Sequence, residues 1–154
     1  MIGILLVTHG RLAEELKAAA LTIQPDIASI VAVALEWRET GQDARARIAA
    51  GLEEADGDQG AVILTDMFGG TPTNLTLSFL ERGRVEIVTG VNLPMVLKCA
   101  AVQRSSSSVA EMARLARDRG QKSIYVASDL LAEEAPVGAG SAGSGGGPDG
   151  PSET

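Results

Sequence analysis

The first ten residues constrain the fold of this chain more than any other stretch. Residues 2–7 are apolar and are not interrupted by polar residues. Such a short run is typical of a strand that is covered on both faces, as in a parallel sheet flanked by helices. The run leads directly into Thr8, His9 and Gly10, which contain the only histidine of the chain. Open α/β sheets place ligands at the carboxyl ends of their strands, so we predict that His9 lies at a functional edge.

Strand and helix patterns alternate along the chain. After the first strand, further strands are predicted at residues 27–35, 61–65 and 85–89, with a short last strand at 123–127. Helical patterns lie between them, at residues 11–20, 40–57, 71–80, 95–102 and 108–120. This alternation predicts a doubly wound α/β fold, with a mainly parallel sheet and helices on both faces. We expect the strand order 2-1-3-4, in which the first and third strands are neighbours.

Length and composition indicate one folded domain followed by a tail. The 154 residues are enough for a single core of ordinary size. From about residue 135 the sequence is rich in Gly, Ser, Ala and Pro, which cannot bury enough apolar surface to become ordered. We therefore assign residues 1–130 to the domain and expect residues 131–154 to form a disordered tail.

The charge pattern disfavours nucleic acid as a partner. The chain has 13 basic and 20 acidic residues and a net charge of −7, and no basic stripe is visible along it. The N-terminal apolar segment lacks the charged leader and the cleavage site of a signal peptide. No apolar run approaches the roughly 20 residues that a membrane span needs. These features predict a cytoplasmic protein.

His9 and Asp66 are the principal site candidates. Asp66 follows the predicted third strand, so the expected strand order brings it beside His9. A carboxylate that accepts a hydrogen bond from one imidazole nitrogen leaves the other nitrogen free as a nucleophile, a base or a ligand. Each residue alone also has a structural interpretation. His9 would then be an ordinary surface residue, and Asp66 would simply begin a turn.

The turn after Asp66 has the composition of a phosphoryl-binding loop. Gly69 and Gly70 permit close approach of the backbone, and Thr71 with the free N–H groups of the next helix would bind an anion. We predict that Thr71 caps this helix and that Pro72 is its first residue. Together these residues suit a phosphoryl group carried on His9, although the glycines alone are also explained by turn geometry.

Arg11, Trp37 and Asn92 are candidates for docking a partner at the same edge. Each follows a predicted strand, and Trp and Arg are favoured in protein interfaces. Each also has a structural interpretation, as a solvated helix residue, a hydrophobic residue at a strand end and a loop residue. Cys99 lies in a mostly apolar helix, which favours a buried thiol over a nucleophile. We expect no metal and no cofactor.

Three segments of the chain together resemble the mannose-type enzyme IIA domain of the bacterial phosphotransferase system. They are residues 5–10 (LLVTHG), 66–74 (DMFGGTPTN) and 90–95 (GVNLPM). They occur in the order of that family, and the resemblance covers residues 1 to about 128. By this resemblance His9 matches the histidine that phosphorylated HPr modifies at Nε2, and Asp66 matches the aspartate that holds Nδ1. Thr71 falls where the family has Ser or Thr beside the phosphoryl group. The family fold is usually dimeric, with an antiparallel last strand exchanged between subunits.

The resemblance implies a histidine phosphocarrier that acts as a phosphotransferase. Phosphorylated HPr would be the donor. The acceptor would be a IIB domain in sugar uptake, with only indirect membrane contact through a transporter, or a regulatory target. The alternative is a non-catalytic module that binds an anion or a partner at the same edge. A hydrolase is less favoured because no nucleophile or metal cluster is found near His9, and a related dihydroxyacetone kinase subunit differs in the second motif.

Overall fold

The computed structural model describes residues 1–134. Residues Met1–Ile124 form one compact unit, and a second unit begins at Tyr125. The boundary predicted at residue 130 falls inside a helix of the second unit, α6 (Ala127–Glu134). The predicted disordered tail lies outside the described residues from position 135 onward.

The first unit is built on a four-stranded parallel sheet. Its strands are β1 (Gly3–His9), β2 (Val31–Leu35), β3 (Ala61–Thr65) and β4 (Val85–Thr89). They lie in the order β2-β1-β3-β4, and every neighbouring pair is parallel. The predicted strand order is confirmed. It places β1 and β3 side by side at the centre of the sheet.

Helices cover both faces of this sheet, which confirms the predicted doubly wound fold. The elements are α1 (Leu12–Ile23), α2 (Gly41–Ala55), α3 (Thr71–Thr76) with a 3₁₀ turn at Leu77–Phe79, α4 (Leu93–Val102) and α5 (Val109–Gln121). One core layer contains Ile4 and Leu6 of β1 with residues of α1, α4 and α5, and the other contains Leu5 and Val7 with residues of α2. Successive residues of β1 point to opposite faces, so an uninterrupted apolar run is what two covered faces require. Within residues 1–134, none of the helices has the length and apolar content to cross a bilayer.

The cysteine prediction is confirmed. Cys99 lies on α4 and is fully buried in the core layer formed with α1 and α5. Burial raises the pKa of its thiol to about 12. At neutral pH the thiol is therefore protonated and is a poor nucleophile.

The start of α3 differs from the prediction. Gly70, not Thr71, is the N-cap residue, and no side chain caps the helix. The carbonyl of Gly70 already accepts the N–H of Asn74 at 3.0 Å, so Thr71 and Pro72 become the first two helical residues. The Thr71 side chain is therefore not used as a cap at this helix end.

The antiparallel last strand predicted at residues 123–127 is wrong for this chain. The N–H groups of Ser123 and Ile124 bond to the carbonyls of Gly120 and Gln121, so the backbone continues from α5 in turns. A strand forms only where a neighbour pairs its backbone groups. The apolar pattern of this segment is a local signal, and it carries no information about whether such a neighbour is present.

Thr8 connects β1 to α1 through a buried hydrogen bond. Its hydroxyl accepts the N–H of Ala13 at 2.7 Å, whereas the N-cap residue Arg11 makes no side-chain cap. We expect Thr8→Ala to lower the free energy of unfolding by about 1–2 kcal/mol, because the N–H of Ala13 loses its acceptor in a buried position. Urea unfolding measures this change. Thr8→Ser keeps the hydroxyl and should lose much less; equal losses in the two variants would assign the effect to the missing methyl group.

Candidate functional site

The central strands bring His9 and Asp66 together at the carboxyl edge of the sheet. His9 is the last residue of β1, and Asp66 directly follows β3. Val7 and Thr65 are partners in the ladder between these strands, so Asp66 lies opposite Thr8 and next to His9. Gly10 then turns the chain with a φ of +51°, which favours glycine, and its N–H bonds to Leu35 of β2 at 2.8 Å.

One carboxylate oxygen of Asp66 holds His9 at two points. Asp66 Oδ2 accepts the backbone N–H of His9 at 2.9 Å and lies 2.8 Å from His9 Nδ1. The other oxygen, Oδ1, accepts the N–H of Met67 at 2.9 Å. Because an ionised carboxylate can only accept, Nδ1 is the nitrogen that carries the proton. Nε2 is thereby left with its lone pair available to a reactant.

The protonation state of Asp66 is set by competing effects. Partial burial raises the pKa of its carboxyl group, but the hydrogen bonds from the backbone and ring of His9, the charge of His9 and the N–H of Met67 together lower it more. The pKa is therefore below the ordinary value, and Asp66 is ionised at neutral pH. The stability contributed by this carboxylate is present above the ordinary aspartate pKa, and it is lost as the pH falls through the lowered one.

Trp37 and Gly70 enclose the imidazole of His9. The ring stacks on that of Trp37, with centroids 5.4 Å apart and an angle of 27° between the planes. Gly70 approaches so closely that a Cβ there would lie 2.9 Å from His9 Cε1. His9 and Trp37 line a cleft of about 150 Å³, whose other lining residues are Leu35, Glu36, Glu39, Thr71 and Pro72.

Two threonines that the sequence interpretation did not identify fix the loop after Asp66. The hydroxyl of Thr73 donates to the carbonyl of Met67 at 2.6 Å and lies 2.8 Å from the hydroxyl of Thr65, which donates to it. Both hydroxyls are fully buried. Thr73 lies two residues beyond Thr71 in the predicted phosphoryl-binding motif, so its position was available in the sequence, but its role as a tether depends on the packing of α3 against β3.

The predicted phosphoryl-binding residues take different positions. Gly70 contacts the imidazole, and Thr71 lines the cleft. Gly69 has a φ of +80°, a conformation that favours glycine, and its carbonyl accepts a bond from the Asn74 amide at 3.4 Å. Gly69 therefore shapes the turn, whereas Gly70 and Thr71 are next to the space that Nε2 would use.

Of the three predicted docking residues, only Trp37 lines the cleft. Arg11 is exposed and pairs with Glu14 and Glu15 at 3.1 and 3.0 Å. Asn92 caps α4 by accepting the N–H of Met95, and its amide donates to the carbonyl of Gly120. The amide of Asn92 thus has a structural role that joins α4 to α5.

The acidic residues at the cleft were also absent from the predicted site. Glu36 and Glu39 line it beside Trp37, in the turn that follows β2. Arg47 of α2 bonds to both carboxylate oxygens of Glu39, at 3.0 and 3.1 Å. Over the part of the chain that the structure describes, His, Cys, Asp and Glu side chains do not form a group of three or more that could hold a metal ion.

The sequence matches known proteins over most of its length. The family model described as the PTS system fructose IIA component matches residues 3–116. The fructose-specific EIIA component of Bacillus subtilis is 27% identical over 132 residues, which cover 85% of this chain and 90% of that protein. The mannose-specific EIIAB component of Escherichia coli is 25% identical over 124 residues, which cover 80% of this chain but only 38% of that longer protein.

A solved structure supports the same similarity. The mannose/sorbose-specific IIA subunit of the phosphotransferase system from Enterococcus faecalis superimposes with a TM-score of 0.72 and 30% sequence identity. The match covers 82% of this chain and 95% of that structure. The likeness thus covers most of this chain.

Proposed function

The chain belongs to the family of fructose- and mannose-type IIA components of the phosphotransferase system, and we propose that it is a histidine phosphocarrier with His9 as the phosphoryl acceptor. Members of this family are phosphotransferases. The observation that carries the proposal is the hydrogen bond of His9 Nδ1 to Asp66 Oδ2, at 2.8 Å. It leaves Nε2 as the free nitrogen of an imidazole that borders an open cleft.

The proposed donor is HPr phosphorylated on a histidine. His9 Nε2 attacks the phosphorus, a new N–P bond forms, and the N–P bond of the donor breaks with its electron pair returning to the donor imidazole. The imidazole of His9 becomes positively charged in this step. The carboxylate of Asp66, held against Nδ1, stabilises that charge. Thr71 lines the cleft beside His9 and Gly70 approaches its ring, which supports these two residues as contacts for the phosphoryl oxygens.

The proposed acceptor is a IIB domain in sugar uptake. The Escherichia coli relative is an EIIAB component, which supports a IIB domain as the acceptor. A regulatory target that binds the phosphorylated form is the alternative acceptor. We infer a cytoplasmic location, because this is where phosphoenolpyruvate and phosphorylated HPr are formed.

Intact-mass measurement tests the proposed function. The protein is incubated with phosphoenolpyruvate, enzyme I and HPr, and a parallel reaction omits HPr. We expect the mass of one phosphoryl group to be added only in the complete reaction, and to be lost in acid because an N–P bond is acid-labile. A protein that gains no mass in the complete reaction would instead be the non-catalytic binding module.

We also infer that the protein forms a homodimer through the open edge of β4. A groove of about 430 Å³ runs along this edge, and it is lined in part by Phe68, Leu77, Leu80 and Ile87. Phe68, Leu77 and Leu80 are exposed, and within residues 1–134 no strand lies beyond β4 in the sheet. A second copy of this chain would cover both the apolar side chains and the unpaired backbone edge.

Sedimentation velocity tests the homodimer. We expect a dimer at micromolar concentration and a shift to monomer in Leu80→Asp, because the charge would be buried in the contact. The control Ile23→Asp alters an equally exposed apolar residue at the end of α1, far from β4, and should remain dimeric. A monomeric wild-type protein, or dimerisation unchanged in Leu80→Asp, would contradict this interface.

A further inference from the structure

Asp66 does not by itself fix the orientation of the His9 imidazole. The bond from Nδ1 to Oδ2 holds one corner of the ring at 2.8 Å and sets its tautomer. The ring plane is still free to tilt about that corner. The lone pair of Nε2 lies in the ring plane, so a tilt swings it away from an incoming phosphorus atom.

We propose that Trp37 is a positioning residue that fixes the plane of the His9 ring for phosphoryl transfer. This inference rests on the proposed function of His9. The indole stacks on the imidazole at a centroid distance of 5.4 Å and an interplanar angle of 27°. Aromatic pairs prefer such offset stacking at this separation. Gly70 closes in on Cε1, so the ring is held at Nδ1, on one face and at its edge.

The turn that carries Trp37 is anchored on both sides of the indole. The carbonyl of Glu36 accepts the N–H of Glu39 at 3.2 Å, and the Glu39 carboxylate accepts the N–H of Glu36 at 3.2 Å. Arg47 then bonds to both oxygens of that carboxylate, which is only 10% exposed. These bonds constrain the turn on which the largely exposed Trp37 lies.

The placement of Trp37 is not explained by burial in the core. The residue is 86% exposed, so it removes little apolar area from water. The register of the β1–β2 ladder explains the position of Trp37. Leu35 pairs with His9, and Trp37 follows Leu35 by two residues. The end of β2 therefore places the indole of Trp37 against the face of the His9 imidazole.

Ring position can be tested without phosphorylation. His9 is the only histidine, so its two ring C–H groups give one assignable pair of proton signals. Stacking on indole shifts such signals upfield. We expect Trp37→Ala to move them downfield and Trp37→Phe to keep part of the shift, with no change in Ile23→Ala, which removes an exposed apolar side chain at the end of α1. Signals that are unchanged in Trp37→Ala would overturn the stack, whether or not the protein is a phosphocarrier.

Two phosphoryl donors separate positioning from docking. Phosphoramidate is too small to use a docking surface, whereas phosphorylated HPr needs one. We expect Trp37→Ala to slow phosphorylation by both donors about three- to tenfold, and Trp37→Phe to restore most of the rate, because the loss corresponds to one aromatic pair. A loss confined to HPr would overturn positioning in favour of docking, and unchanged rates with both donors would overturn it entirely. A wild-type protein that accepts no phosphoryl group would refute the proposed function instead, while the proton signals would still report the stack.

Discussion

His9→Ala should abolish phosphorylation by HPr completely. The chain contains no second histidine that could accept the phosphoryl group. The only cysteine, Cys99, is buried on α4 with its pKa raised to about 12, so it cannot replace the imidazole. The measurement is intact mass after incubation with phosphoenolpyruvate, enzyme I and HPr.

The His9→Ala variant should remain folded, which makes its inactivity interpretable. The backbone N–H of His9 still donates to Asp66 Oδ2 at 2.9 Å, so this carboxylate keeps one of its two bonds to position 9. The lost ring is partly exposed and makes its stacking contact with the exposed Trp37, not with the core. Circular dichroism and thermal unfolding serve as controls. A folded His9→Ala protein that still gains a phosphoryl group would refute the assignment of His9 as acceptor.

Asp66→Asn should slow phosphorylation by about 10²-fold while the fold is retained. The amide has the size of the carboxylate, but it lacks the charge that stabilises the imidazolium formed when Nε2 attacks. The amide also accepts fewer hydrogen bonds from the neighbouring N–H groups than the carboxylate does. Oδ2 and Oδ1 accept from His9 and Met67 respectively, so one of these N–H donors would face the NH₂ group. The loss of rate is partly offset, because the wild-type carboxylate also repels the negatively charged phosphoryl group and the variant lacks this repulsion.

The informative comparison for Asp66 is the rate of transfer from phosphorylated HPr in a variant shown to be folded. The proton signals of His9 report whether the ring keeps its place and its tautomer. A reduced rate with little change in the ring environment would assign the effect to charge. Wild-type rates in folded Asp66→Asn protein would remove Asp66 from the mechanism.

The fold and the central pair were predictable because their causes are local in sequence. An uninterrupted apolar run predicts a doubly covered strand, and His9 and Asp66 each follow such a run. A parallel sheet with β1 beside β3 then brings them together without further information. The predicted segment 123–127 shows a similar apolar pattern, yet its first residues continue from α5 in turns and its last residue begins α6. Apolar composition shows that a segment can pair, but it does not supply the neighbour.

The parts of the site that were missed depend on packing between distant segments. Trp37 was recognised only as a docking candidate, because its stacking on His9 requires the β1–β2 register. Thr73 is unremarkable in sequence, and its bond to Met67 exists only because α3 packs beside β3. Arg47 acts on the cleft through Glu39, eight positions away on another element. None of these pairings leaves a periodic signal in the sequence.

The distance between His9 and Asp66 is set by the spacing of two adjacent parallel strands, which is about 4.8 Å in any sheet. Asp66 Oδ2 accepts a hydrogen bond from the backbone N–H of His9 as well as from its ring. The bond to the backbone positions the carboxylate independently of the His9 side chain. The tautomer of His9 is therefore set by Asp66, whereas the plane of its ring also depends on the turn that carries Trp37. A designer who ends one central strand of an unrelated doubly wound sheet in histidine, and starts the turn after its neighbour with aspartate, obtains an imidazole with a defined tautomer, and an aromatic residue after the strand on its other side would then fix the plane of the ring.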